Sequence, residues 1–127
     1  MRLLFNATHI RSEGGVVLMR HLLEAFLAFS PELTILLYLN PELSSRVAEF
    51  LREHPRIEMV GFHSGGSLQR FWWEQVTLPG IIRSQAVDVL FSFGNTGPLF
   101  PGCRQILYLQ QSIPYTNYGP RRYRLQW

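Results

Sequence analysis

MRLLFNATHIRSEGGVVLMRHLLEAFLAFSPELTILLYL, Met1 to Leu39, sets two apolar runs of strand length on either side of one of helix length. Met1–Thr8 reads as a buried strand, because Leu3, Leu4 and Phe5 run together without polar alternation. His9–Gly15 is a polar loop that ends on glycine. Val16–Phe29 is apolar on nearly every side, broken only by Arg20, His21 and Glu24, which fits a mostly buried helix. Ser30-Pro31 stops that helix, and Leu33–Leu39 is a second buried strand. Two strands apolar on both faces, joined by a helix, form a unit of a parallel sheet.

The same alternation continues outward. Asn40-Pro41-Glu42 is a helix start, with a capping amide, a proline suited to the first turn and an acid near the positive end of the dipole. Leu43, Val47, Phe50 and Leu51 then share one face, and Pro55 closes the segment. Ile57–Gly61 is a third strand, followed by a loop over His63–Gly66. Ser67 can cap a third helix, with Leu68, Phe71, Trp72 and Val76 expected on its inner face. Pro79 begins a further helical segment to about Gln85. Val87–Phe91 and Gln105–Leu109 are the fourth and fifth strands, separated by a Gly- and Pro-rich loop over Gly94–Gly102. The expectation is an α/β domain, a Rossmann-like doubly wound parallel sheet of about five strands. Pro120 to Trp127 reads as a helix that has only begun. It implies that residues 1–127 are a domain truncated in its last helix; the alternative is a complete small domain with a short final helix.

Composition narrows the function. The chain has 127 residues, 46% hydrophobic and 17% charged, so it can bury a core and is not a disordered segment. Its single cysteine, Cys103, excludes a disulfide framework and a Cys-rich zinc site. The net charge is +3, and all 12 basic residues are arginines. Apart from Arg121, Arg122 and Arg124 they are dispersed, which is no nucleic-acid footprint. The absence of lysine excludes lysine-based phosphate loops and Schiff bases within this chain. No apolar run approaches the roughly 20 residues of a membrane span. No cleavage-site pattern follows the N-terminal strand, so a cytoplasmic protein is expected.

Ligands of open α/β sheets bind at the carboxyl ends of the strands. That rule selects the loops Asn6–Gly15, Gly61–Gly66, Ser92–Gly97 and Gln110–Tyr115. Gly14-Gly15 fits two readings: close backbone approach to a phosphate at a helix N-terminus, or service of the turn and of helix packing. His9, His21, His54 and His63 have no metal-ligand spacing, so no metal site is expected. His9 and His63 lie in ligand-side loops, as polar contacts or as solvated residues. Asp88 stands at the start of the fourth strand, the wrong end for catalysis. Glu13 alone supplies no carboxylate pair, and Cys103 has no evident base. Phe71-Trp72-Trp73 reads as core packing. No catalytic residue is assigned.

Arg70-Phe-Trp-Trp-Glu-Gln-Val-Thr-Leu-Pro79, Asp88-Val-Leu-Phe-Ser-Phe-Gly-Asn95 with Pro98, and Ile106-Leu-Tyr-Leu-Gln-Gln-Ser-Ile-Pro114 follow in an order that resembles the N-terminal domain of family 4 glycosyltransferases. The resemblance covers nearly the whole chain. It implies one half of a B-type fold, in which two Rossmann-like domains face each other across a cleft. It also implies retaining sugar transfer from a nucleotide-sugar to a glycan or other acceptor, with no cofactor or metal. The partner it implies is a C-terminal donor-binding domain absent from these residues. By position, Gly14 and Gly15 match the glycine loop near the donor diphosphate, and Asn95 and Thr96 the acceptor-side loop. Gln110 and Gln111 stand where many relatives have His followed by Asp or Asn. Glutamine can hold a sugar hydroxyl but cannot exchange a proton near neutral pH. Two other readings stand beside this one: a stand-alone sugar- or nucleotide-binding module without turnover, and a protein that lends this half to a separate subunit.

Overall fold

The structure, a computed structural model, describes residues 1–62, 66–94 and 97–108. His63, Asn95, Thr96, Gln110, Gln111 and the helix expected from Pro120 lie outside the described residues.

Strands β1 (Arg2–Ala7), β2 (Thr34–Leu39), β3 (Ile57–Gly61), β4 (Val89–Phe93) and β5 (Arg104–Tyr108) form one sheet in the order β3-β2-β1-β4-β5. All four neighbouring pairs are parallel. The α/β, Rossmann-like doubly wound expectation is thereby met. In register, Phe5 stands between Leu37 and Phe91, and Asn6 between Tyr38 and Ser92. Alternate side chains leave opposite faces, so each strand feeds two cores.

The first core lies under α1 (Glu13–Phe29) and α2 (Ser44–Glu53). Leu3, Phe5, Leu37, Phe91 and Phe93 meet Met19 and Leu23 of α1 and Val47 and Phe50 of α2. The second lies under a continuous helical run: α3 (Ser67–Trp72), one π-helical segment (Trp73–Thr77) and α4 (Leu78–Ser84). There Leu4, Leu36, Tyr38 and Leu90 meet Trp73, Leu78 and Ile82. Burying such a side chain is worth roughly 1.5–3 kcal/mol, so covering both faces explains why the strands carry no polar alternation.

Local chemistry sets the ends. Ser12 caps α1, its Oγ accepting from the Gly15 N–H at 3.1 Å. The helix therefore starts at Glu13, three residues before the expected Val16, and Gly14 and Gly15 lie in its first turn rather than in the loop. Asn40 Oδ1 accepts from the Glu42 N–H at 3.1 Å and Pro41 opens a 3₁₀ turn, Pro41–Leu43, as the start signal implied. The Arg56 guanidinium donates to the carbonyls of Leu27, Ser30 and Leu33, satisfying orphan groups at the C-terminal end of α1 and just beyond. Strand β4 begins at Val89, two residues later than expected.

The largest correction concerns the third helix. Leu68, Phe71, Trp72 and Val76, expected inside, are all exposed, at 81%, 54%, 65% and 52%. Trp73 and Glu74 point inward instead. Among the described residues no helix is long and apolar enough to cross a membrane.

Candidate functional site

From β1 the chain crosses through α1 to β2; from β3 it crosses through α3 and α4, over the other face, to β4. The strand order therefore reverses between β1 and β4, and at such a switch point open α/β sheets bind their ligands in the crevice outside the carboxyl ends of the strands. Asp88 marks the opposite edge: its Oδ2 accepts from the Arg2 N–H at 2.8 Å, and its own N–H donates to the Arg2 carbonyl at 2.8 Å. Its role there is structural, in keeping with the sequence reading.

Three side chains converge at the β1 side of the crevice. Asn6, fully buried, ends the inward row of β1 on the face covered by the π segment. Its Oδ1 accepts from the Thr8 hydroxyl at 2.8 Å and the Thr8 N–H at 3.3 Å, bending the chain out of the strand. That turn delivers His9, whose Nε2 lies 2.6 Å from Glu74 Oε1. Asn6 Nδ2 reaches the same oxygen at 3.5 Å. The Glu74 side chain is 1% exposed and that of His9 19%. A carboxylate accepts, so the short contact places a hydrogen on His9 Nε2 and fixes the ring's orientation. A carboxylate buried this deeply is costly unless charge-assisted hydrogen bonds meet it, and the histidine supplies one.

The π segment sets this geometry. The Leu78 N–H bonds back to the Trp73 carbonyl, five residues earlier. Pro79, next in sequence, has no N–H to continue the α ladder. The wider turn brings Trp73 and Glu74 to the sheet side together. Trp73 is wedged against Phe62 and Tyr38, with ring centroids 4.2 and 5.6 Å away. Such segments recur at functional sites.

Gln75 serves the β4 side. Its Nε2 donates to the Gly97 carbonyl at 3.0 Å, and its Oε1 accepts from the Leu99 N–H at 2.9 Å. Gln105 of β5 holds the same loop, donating to the Pro98 carbonyl at 3.1 Å and accepting from the Ser92 hydroxyl at 3.3 Å. Adjacent residues of one turn thus fix both rims: Glu74 the β1 loop and Gln75 the β4–β5 loop. Gly94 closes the gap between them. Its φ is +150°, and a Cβ there would stand 3.1 Å from the His9 ring.

Of the residues singled out from sequence, Gly14 and Gly15 are described and prove unlike. A Cβ on Gly15 would meet Ile10 Cγ2 at 3.0 Å, so packing accounts for that glycine. Nothing lies within 4 Å of a Cβ on Gly14. Glu13 pairs with Arg46 across α1 and α2 rather than facing the crevice. His9, one of two ligand-side histidines, proves a partly buried member of the polar cluster. Sequence reasoning missed Glu74, because it arrives from a helix and not from a ligand-side loop. The signal available was that Glu74 is the sole acid between Glu58 and Asp88. Cys103 is no activated thiol: burial, and secondarily the Asp88 carboxylate, push it up, outweighing a lowering backbone hydrogen bond at Leu90. Among the described residues no group of three or more His, Cys, Asp or Glu could hold a metal ion. Comparison with family models, with curated proteins and with solved structures finds no match to the chain.

Proposed function

We propose that the chain is the acceptor-side half of a retaining glycosyltransferase of the family 4 type, transferring sugar from a nucleotide-sugar once a second Rossmann-like domain supplies the donor site. One coincidence carries this reading. The Trp73-Glu74-Gln75 motif, part of one of the three stretches that carry the resemblance, is also the segment that holds both rims of the switch-point crevice. A polar rim of fixed amides and an imidazole suits a polyhydroxyl acceptor. The arrangement orients and does not cleave: one buried acid hydrogen-bonded to a histidine is not a pair of opposed carboxylates. The donor diphosphate belongs at the first turn of α1, where Gly14 is exposed and the helix dipole favours negative charge.

The test joins this chain to a donor-binding domain and screens nucleotide-sugars against glycan acceptors. Gly14→Asp is the informative variant. The added side chain enters open space and an acid is favourable in a first helical turn, so folding is kept. The same charge beside a diphosphate should reduce turnover at least about tenfold, while Gly14→Ala leaves it near the parent value. Equal turnover of all three proteins removes the diphosphate assignment. Transfer by the purified 127-residue chain alone overturns the half-enzyme reading.

A further inference from the structure

The contacts around the crevice form a closed ring. Glu74 Oε1 lies 2.6 Å from His9 Nε2 and 3.5 Å from Asn6 Nδ2. The His9 ring in turn lies against the Gly94 backbone, where a Cβ would meet Cγ and Cδ2 of the imidazole at 3.1 and 3.3 Å. Gly94 leads into the β4–β5 loop. That loop returns to the π segment through Gln75, which bonds the Gly97 carbonyl at 3.0 Å and the Leu99 N–H at 2.9 Å. Gln75 follows Glu74 directly, so the ring closes on adjacent residues.

Each rim also has anchors of its own. Asn6 Oδ1 holds Thr8, and the Ile10 N–H donates to the Ala7 carbonyl at 3.2 Å. Gln105 of β5 holds Pro98 and Ser92. What the rims share is the π turn, whose backbone phase aims Glu74 and Gln75 together. If the Leu78 N–H took the Glu74 carbonyl in α register, in place of the Trp73 carbonyl, both side chains would rotate and both rims would lose their hold. Burial adds a driving force. The Glu74 side chain is 1% exposed, and a buried carboxylate that loses a charge-assisted hydrogen bond is favoured to turn toward water. A helix shift that turns it out moves Gln75 as well.

We propose that the ring makes the two rims one cooperative unit, so that a ligand held at either rim tightens the other. The inference goes beyond the sugar-transfer reading and does not depend on it, since the coupling belongs to the chain whatever the crevice takes. A ligand that orders the β1 rim lowers the cost of ordering the β4–β5 rim, and the reverse holds by the same amount.

The test cuts the ring at one rim and reads the other, by NMR-detected hydrogen exchange of the 127-residue chain. Gln75→Ala cuts the β4–β5 side and is read at the Thr8 and Ile10 amides. The Ile35 N–H, bonded to the Arg56 carbonyl at 3.0 Å at the opposite end of the sheet, reports overall stability. Exchange at Thr8 and Ile10 should rise at least about threefold beyond any rise at Ile35. His9→Ala cuts the β1 side and should raise exchange at the Leu99 amide in the same way. Should His9→Ala fail to fold, Gln75→Ala, which removes a neutral side chain at the rim, carries the test alone. The proposal is overturned if Gln75→Ala changes Thr8 and Ile10 no more than Ile35. It is equally overturned if a folded His9→Ala changes Leu99 no more than Ile35.

Discussion

Gly94 shows how a single residue sets the crevice. Its φ of +150° lies where side chains are strained, and the His9 ring occupies the space a methyl group would need. Gly94→Ala should therefore cost about 1–3 kcal/mol, seen as a lower urea midpoint. Gly14→Ala, in open space in a helical turn, should be neutral or raise stability by up to about 1 kcal/mol. Equal effects would mean that His9 does not press on Gly94. Neither difference was legible in the sequence, where Gly14-Gly15 stood out as a pair and Gly94 belonged to a ligand-side loop and to the Asp88–Asn95 stretch without any sign of what faces it. A glycine's necessity lies in what stands opposite it, and His9 is 85 positions away. His9 itself was placed on the correct rim from sequence, because its position follows from the end of β1. Its carboxylate partner was not, because that pairing depends on how a distant helix is rotated.

Rotation is a property of the element. The run from Leu68 to Ile82 has two apolar faces, so hydrophobic spacing alone does not choose between them. A uniform α-helical phase puts Leu68, Phe71, Trp72 and Val76 on one side, and the reading took that side as the inner one. The π turn at Trp73–Thr77 changes the phase, and Trp73, Leu78 and Ile82 face the sheet. The strands were easier, since residues buried on both faces need no phase to be recognised. The neighbouring tryptophans test the assignment directly. Trp73→Ala opens a cavity among Phe62, Tyr38 and the sheet and should cost about 3–5 kcal/mol. Trp72→Ala should stay within about 0.5 kcal/mol of the parent in guanidinium unfolding. The reverse order would mean that the outer stripe is the true core face.

At the scale of the whole molecule, the fold class was legible because strand and helix runs alternate along the entire chain, and right-handed crossovers leave few ways to arrange them. The charge inventory has a further consequence there. All 12 basic side chains are arginines, which hold their charge to the limit of folded stability in alkali. Raising the pH past 9 therefore strips no charge from a lysine, and among the described residues Tyr38 and Cys103 have hydroxyl and thiol groups that burial holds above their ordinary values. Tyr38 is the informative one. It lies in β2 beneath Trp73, and burial, with a smaller contribution from the Glu58 carboxylate, raises its hydroxyl above the ordinary value of 10.0. The unfolded chain then releases this proton first. The stabilisation is complete below about pH 10 and is lost as the pH rises through the folded-state value. Urea midpoints should begin a shallow fall above about pH 9, where the unfolded Cys103 thiol ionises first, and fall more steeply above about pH 10 as Tyr38 joins it. Tyr38→Phe should flatten the fall while leaving the neutral-pH midpoint within about 1 kcal/mol of the parent. A Phe variant that loses stability with pH as steeply as the parent would show that Tyr38 ionises as freely in the folded chain as in the unfolded one. The sheet face beneath Trp73 would then be open to water.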